Sequence, residues 1–220
     1  MKKQTILSIA YITFMSILLS SCSDESTSAE TDSFNAAVVC PENLRGTFVD
    51  ERDGLVYKYT TIGNQVWMAE NLNYDNGSFC VETTCSTKGR FYRLAEALNA
   101  CPNGWHLPSN EEWQVLFSNV GGIDSAGLRL KATTGWIPLN PGWASNGTDD
   151  CGFTLLPMPK DGHDGYIAWL WATDVKLLEA LLNGRELRED DTMTGVSFET
   201  QNMSARTSRH FIASIRCIKD

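Results

Sequence analysis

Positive charge is scarce in this sequence: 18 Lys and Arg stand against 27 Asp and Glu, a net charge of −9 over 220 residues. The basic residues form no cluster, which argues against nucleic acid as a partner, because phosphate contacts dominate that affinity. Histidine is rarer still, at three, with neither a His-Glu-x-x-His nor a His-x-Glu spacing, so no metal site is expected. There is no Gly-rich phosphate loop, no Gly-x-Ser-x-Gly elbow and no Cys-x-x-Cys redox pair, and each absence removes a class of enzyme. Internal repeats, heptads and low-complexity tracts are also lacking. The longest apolar run, Ile6 to Leu19, is too short and too quickly followed by polar residues to span a membrane.

That run is informative in another way. Lys2 and Lys3 precede it and Leu19-Ser20-Ser21-Cys22 ends it, the order of an export signal closed by a lipobox. Residues 1–21 are therefore expected to be a cleaved signal peptide and Cys22 to carry lipid, a stable membrane anchor without a transmembrane helix. Ser23-Asp24-Glu25 resembles the surface-export signal of Bacteroidetes lipoproteins, so the expected address is the outer membrane, exposed at the cell surface. Loss of Lys2 and Lys3 with no acid takes the charge from −9 to −11. Residues 22–39, rich in Ser, Thr, Asp and Glu, read as a disordered tether, leaving 40–220 as one domain.

Seven cysteines are present. With Cys22 used for lipid, Cys40, Cys80, Cys85, Cys101, Cys151 and Cys217 remain, an even set that argues for disulfides in an oxidising compartment and leaves their connectivity open. Cys80 and Cys85 share a polar, Gly-bounded loop whose four intervening residues permit a local bridge.

Along the chain, β-prone residues on both sides of Gly63-Asn64 predict a hairpin. Leu94, Leu98 and Cys101 at i, i+4, i+7 predict a helix over Phe91 to Ala100. Ser109 with Glu112 three residues on predicts a capping box opening a second helix, whose stripe is Trp113, Leu116, Phe117 and Val120 and which ends at Gly121-Gly122. His106, between Trp105 and Leu107, reads as a packed, hydrogen-bonded histidine, so the stretch 100–113 is a corner rather than a catalytic site. Trp136 to Phe153 reads as a long loop region. Asp161-Gly-His-Asp-Gly165 lacks the EF-hand spacing and reads as a solvated turn. Asp174 to Asn183 is read as a strand, and Phe211, Ala213, Ile215 and Cys217 alternate as in a terminal strand.

Four segments, "FVDERDGLVYKYTTIGNQVWMAENLNY", "GRFYRLAEALNACPNGWHLPSNEEWQVL", "GTDDCGFTLLPM" and "SIRCIKD", together resemble the Fibrobacter succinogenes major paralogous domain, over about Gly46 to Asp220. Cys151 in place of an aromatic, "LLPMPKDGH" without the usual Gly, and the segment after Trp171 depart from its pattern. The resemblance implies an α+β, C-type lectin-like domain with two helices, a small antiparallel sheet and long irregular loops. It also implies a Cys101–Cys217 disulfide, and with Cys80–Cys85 taken as local it leaves Cys40 and Cys151 to pair. The calcium-sugar signatures Glu-Pro-Asn and Trp-Asn-Asp of C-type lectins are missing, so calcium-dependent sugar binding is not expected, nor is any cofactor.

The function expected on this basis is a surface-anchored, non-catalytic binding domain for a glycan or protein ligand. Its face is expected to combine Trp136, Trp143 and Asn146 with Trp171, Asp174 and Arg206. The alternatives are a structural envelope lipoprotein without a soluble ligand, and a Cys oxidase of the formylglycine-generating type, which pairing of all six cysteines would exclude.

Overall fold

The computed structural model describes residues 34–81, 84–138, 140–142, 145–158, 165–173, 194–199, 203–207 and 212–220. In chain order its helices are α1 (Ala36–Val39), α2 (Cys85–Lys88), α3 (Leu94–Ala97), α4 (Asn110–Asn119) and α5 (Ile123–Leu130). The strands are β1 (Gly46–Val49), β2 (Val56–Ile62), β3 (Gln65–Met68), β4 (Trp105–His106), β5 (Ile167–Ala172), β6 (Thr194–Glu199), β7 (Met203–Thr207) and β8 (Ile218–Lys219). They form an antiparallel sheet in the order β1-β2-β3-β8-β4 and a second, β5-β6-β7. The class is α+β. Among the described residues no helix is long and apolar enough to cross a membrane.

The β2–β3 hairpin turns at Gly63-Asn64, with Gly63 at φ 62°. A Cβ there would also strike the side chain of Asn119, so the position needs glycine for conformation and for room. The last strand, β8, inserts between β3 and β4, with Trp67 facing Ile218 and Ile218 facing His106. Chain segments far apart in sequence thus meet in the middle of the sheet, and β4 is placed at its edge.

Two apolar clusters fill the interior. One gathers Trp67, Trp113, Phe117, Phe153 and Leu130 around the Cys40–Cys151 bridge, the Trp67 and Trp113 rings 4.7 Å apart at 45°. The other holds Tyr92, Leu107, Trp171 and Ile215 around Cys217, which bonds Cys101. The third bridge is Cys80–Cys85.

α4 starts as its sequence dictates. Glu112 N–H donates to Ser109 Oγ at 3.1 Å, and Ser109 N–H donates to Glu112 Oε2 at 2.7 Å. Trp113, Leu116 and Phe117 are buried on its inner face. Ser109→Ala is expected to lower stability by about 1 kcal/mol, seen as a lower urea midpoint at unchanged slope; an unmoved midpoint would show that the hydroxyl is dispensable.

Four features differ from the sequence reading. The helix predicted over Phe91 to Ala100 is the single turn of α3. An unpredicted helix, α5, buries Ala126 and Leu130. Residues 34–39, placed with the tether, instead belong to the domain: Phe34, Ala36 and Val39 pack on the first cluster, where the Cys40 bridge pins them. In the terminal segment Ser214 and Arg216 are as buried as Ala213, Ile215 and Cys217. Asp174 to Asn183 and residues 161–164 lie outside the described residues.

Candidate functional site

Of the six residues expected to form the binding face, two are core. Trp136 is 5% exposed and its indole N–H donates to Leu155 O at 3.0 Å. Trp171 is 1% exposed and its indole N–H donates to Tyr92 O at 2.8 Å. Both rings are large apolar bodies whose polar edge has found a carbonyl, and neither is open to a ligand. Asn146 is exposed, but its Oδ1 accepts the Trp136 backbone N–H at 3.0 Å and so shapes the loop. Trp143 and Asp174 lie outside the described residues. Arg206 lies on β7, where only the backbone is described.

The structure brings a different set together, in the stretch 100–113. The turn Pro102–Trp105 closes through Trp105 N–H to Pro102 O at 3.0 Å, with Gly104 at φ 79°. Asp220 N–H donates to Gly104 O at 3.0 Å, which lays the end of the chain beside β4. His106 is thereby held between two carboxylates. Its Nδ1 is 2.6 Å from Asp220 Oδ1 and its Nε2 is 2.8 Å from Glu112 Oε1. A neutral imidazole has one N–H, so two carboxylate acceptors require the imidazolium. Burial works against that charge and is the largest single influence, but the bonds and charges of Asp220 and Glu112 together outweigh it and raise the pKa.

A raised folded value sets the sign of the pH response. The charged ring stabilises the fold below about pH 6.5, the value of a free imidazole, and this contribution is lost as pH rises through the raised value. Urea midpoints of the native chain are therefore expected to fall between about pH 6 and 9 by more than those of His106→Gln. Parallel profiles would show that the ring is uncharged in the fold.

The arrangement also limits His106 chemically. Both ring nitrogens are committed, and Ser109 Oγ is bonded to the Glu112 backbone. Among the described residues its ring is hydrogen-bonded to these carboxylates and to no hydroxyl or thiol. Among the described residues, no group of three His, Cys, Asp or Glu is placed to hold a metal.

His106 and Glu112 line an open cleft of about 610 Å³, with Asn99, half-buried Trp105 and Thr173 on its other walls. The volume lies within the range of small-ligand sites. A smaller cavity, about 220 Å³, lies between β2 and α2. Its charged groups already have partners: Lys58 sits 3.5 Å from Glu70, and Arg216 is bound to surrounding carbonyls. The sequence offered no sign of the Asp220–His106–Glu112 arrangement beyond the proximity of His106 to the capping box.

The family model for the Fibrobacter succinogenes major domain matches residues 60–219, most of the chain. The chain belongs to this family. In this member of the Fibrobacter succinogenes major domain family, the matched region runs from within β2 to the last strand and carries every residue that lines the cleft, while Asp220, bonded to His106, follows it. No curated protein and no solved structure matches the chain.

Proposed function

We propose that the chain is a lipid-anchored domain, displayed at the outer surface of the cell, that binds a glycan or protein ligand without transforming it. The observation that carries the binding part is the open cleft of about 610 Å³ beside half-buried Trp105. A rigid aromatic bordered by polar groups offers contact area at low entropic cost. The commitment of both His106 nitrogens supports a non-catalytic role. Disulfides at Cys40, Cys80, Cys85, Cys101, Cys151 and Cys217 leave no thiol pair among them for a Cys oxidase. The lipobox ending at Cys22 supports the anchor, and Asp24-Glu25 supports surface export. The C-type lectin-like fold belongs to the same reading, favoured by the insertion of β8 between β3 and β4 and by the Cys101–Cys217 bridge.

In a host that processes bacterial lipoproteins, the full chain should incorporate labelled palmitate and Cys22→Ala should not. Protease added to intact cells should remove the domain, and glycan or protein arrays should capture the purified chain. Labelling that survives Cys22→Ala overturns the anchor. Exposure on cells without capture by either array overturns ligand binding in favour of a structural envelope component.

A further inference from the structure

Trp105 borders a second hollow besides the His106 cleft. This one is about 270 Å³, walled by β1, the Asp50–Arg52 turn and Pro102-Asn103. Trp105 is the only described residue that lines both. Its ring is braced: Phe48 stacks on it with centroids 4.3 Å apart and planes 22° apart. Phe48 lies on β1 and Trp105 on β4, the two edges of the five-stranded sheet, so the stack also draws those edges together. The result is a braced aromatic ring that borders both concavities.

Charge along these walls is either already paired or negative. In the smaller hollow Arg52 is tied to Asp50 at 2.6 Å and to the carbonyls of Ala100 and Cys101, leaving exposed Glu51. In the larger, the positive ring of His106 lies between Glu112 and Asp220. The groups left to meet a ligand are the exposed side chains of Asn99 and Asn103, the carboxylates and the Trp105 ring. Amides and carboxylates exchange hydrogen bonds with hydroxyls, and the electron-rich face of an indole takes the apolar CH face of a sugar ring. An anionic polymer would meet acidic walls on a chain of net charge −9.

We infer that the two hollows are one groove for a linear, uncharged glycan that crosses Trp105, with a sugar ring against the indole and flanking rings on Asn99 and Asn103. This rests on the reading of the chain as a binding domain and names its ligand class and contact residues.

The test uses the full-length chain extracted in mild detergent, titrated calorimetrically with neutral hexasaccharides of glucose, mannose and xylose, with the matching disaccharides, with hexagalacturonate and with an extended Gly-Ser-Thr peptide. At least one neutral hexamer is expected to bind, its disaccharide about tenfold more weakly, and hexagalacturonate and the peptide not measurably. Trp105→Ala should weaken the hexamer about tenfold or more, the scale of an aromatic anchor. Trp105→Phe, which keeps a ring on Phe48, and the exposed changes Asn99→Ala and Asn103→Ala should each weaken it about two- to fivefold; these three guard against a folding defect. Binding of a neutral hexamer that all four variants leave intact puts the glycan elsewhere and overturns the groove, while the binding domain stands. Binding of hexagalacturonate or the peptide in place of neutral hexamers overturns the ligand class. Capture on protein arrays with no hexamer bound overturns the groove alone, whereas silence on every array and in every titration overturns the binding domain with it.

Discussion

Arg216→Met is expected to lower the stability of the folded chain by about 3 kcal/mol or more. Arg216 is fully buried, and its guanidinium serves four acceptors. Nε donates to Asn71 Oδ1 at 2.6 Å, Nη1 to Met68 O at 3.2 Å and to Phe153 O, and Nη2 to Thr154 O at 2.9 Å. These acceptors belong to the end of β3, the segment after it and the irregular stretch around Thr154, where φ is 52° and no strand ladder runs. One side chain therefore supplies the hydrogen bonding that regular structure supplies elsewhere. Each buried acceptor left without a donor costs about 1–3 kcal/mol. The opposing effect is the charge itself: burial pushes the guanidinium pKa down to about 9, and Asp149 and Glu70 recover only part of that. Methionine keeps much of the stem and removes the desolvation cost, so the net loss is set well below the sum over four acceptors. Arg216→Lys should retain most of the loss, because an ammonium lacks the planar fork that reaches separate carbonyls. Urea unfolding under non-reducing conditions measures both. A loss under about 1 kcal/mol for Arg216→Met would mean that water or neighbouring groups take over its acceptors.

The sequence could announce features that depend on residue types at short, fixed offsets. Gly63-Asn64 between β-prone runs specifies a hairpin, and Ser109 with Glu112 specifies a helix start, because in each case the partners are neighbours in the chain. Arg216 was hidden for the opposite reason. Alternation reports which face of a strand is dry, but the segment before β8 is covered on both sides, so Ser214 and Arg216 are buried beside Ile215 and Cys217. α5 carries Ile123, Ala126 and Leu130 at helical spacing, yet Gly127 within it and Gly121-Gly122 before it read as breaks. The tryptophans show a further limit. Trp136 and Trp171 sit in Gly-, Pro- or Ala-bearing surroundings that suit a loop or an edge, and only the fold reveals that Leu155 and Tyr92 offer carbonyls to their indoles. His106 is the case that matters for function. Glu112 lies six residues away, but Asp220 lies 114 away, and no local pattern encodes a contact that waits for β8 to dock beside β4.

Removing the Cys101–Cys217 bridge with the pair Cys101→Ala and Cys217→Ala is expected to cost about 4 kcal/mol, against about 2 kcal/mol for Cys80→Ala with Cys85→Ala. The difference follows from sequence separation, 116 for the first bridge and 5 for the second, since a crosslink that closes a longer loop removes more conformations from the unfolded chain. The Cys40–Cys151 bridge, of separation 111, overlaps the same stretch, so it already restrains part of that loop and holds the cost nearer 4 than 5. Alanine is the right replacement because Cys217 is fully buried, where a serine hydroxyl would add a desolvation cost of its own. Position reinforces length: Met68 N–H donates to Cys217 O at 2.9 Å, so the half-cystine also belongs to the seam between β3 and the last strand. Set against the roughly 5–15 kcal/mol of a typical domain, loss of both long bridges should leave a chain unable to hold its fold at 37 °C. Calorimetric unfolding of the two double variants separates the explanations. If the Cys80–Cys85 pair proves the costlier, loop entropy is not what these bridges contribute, and strain or residual structure in the unfolded chain must dominate instead.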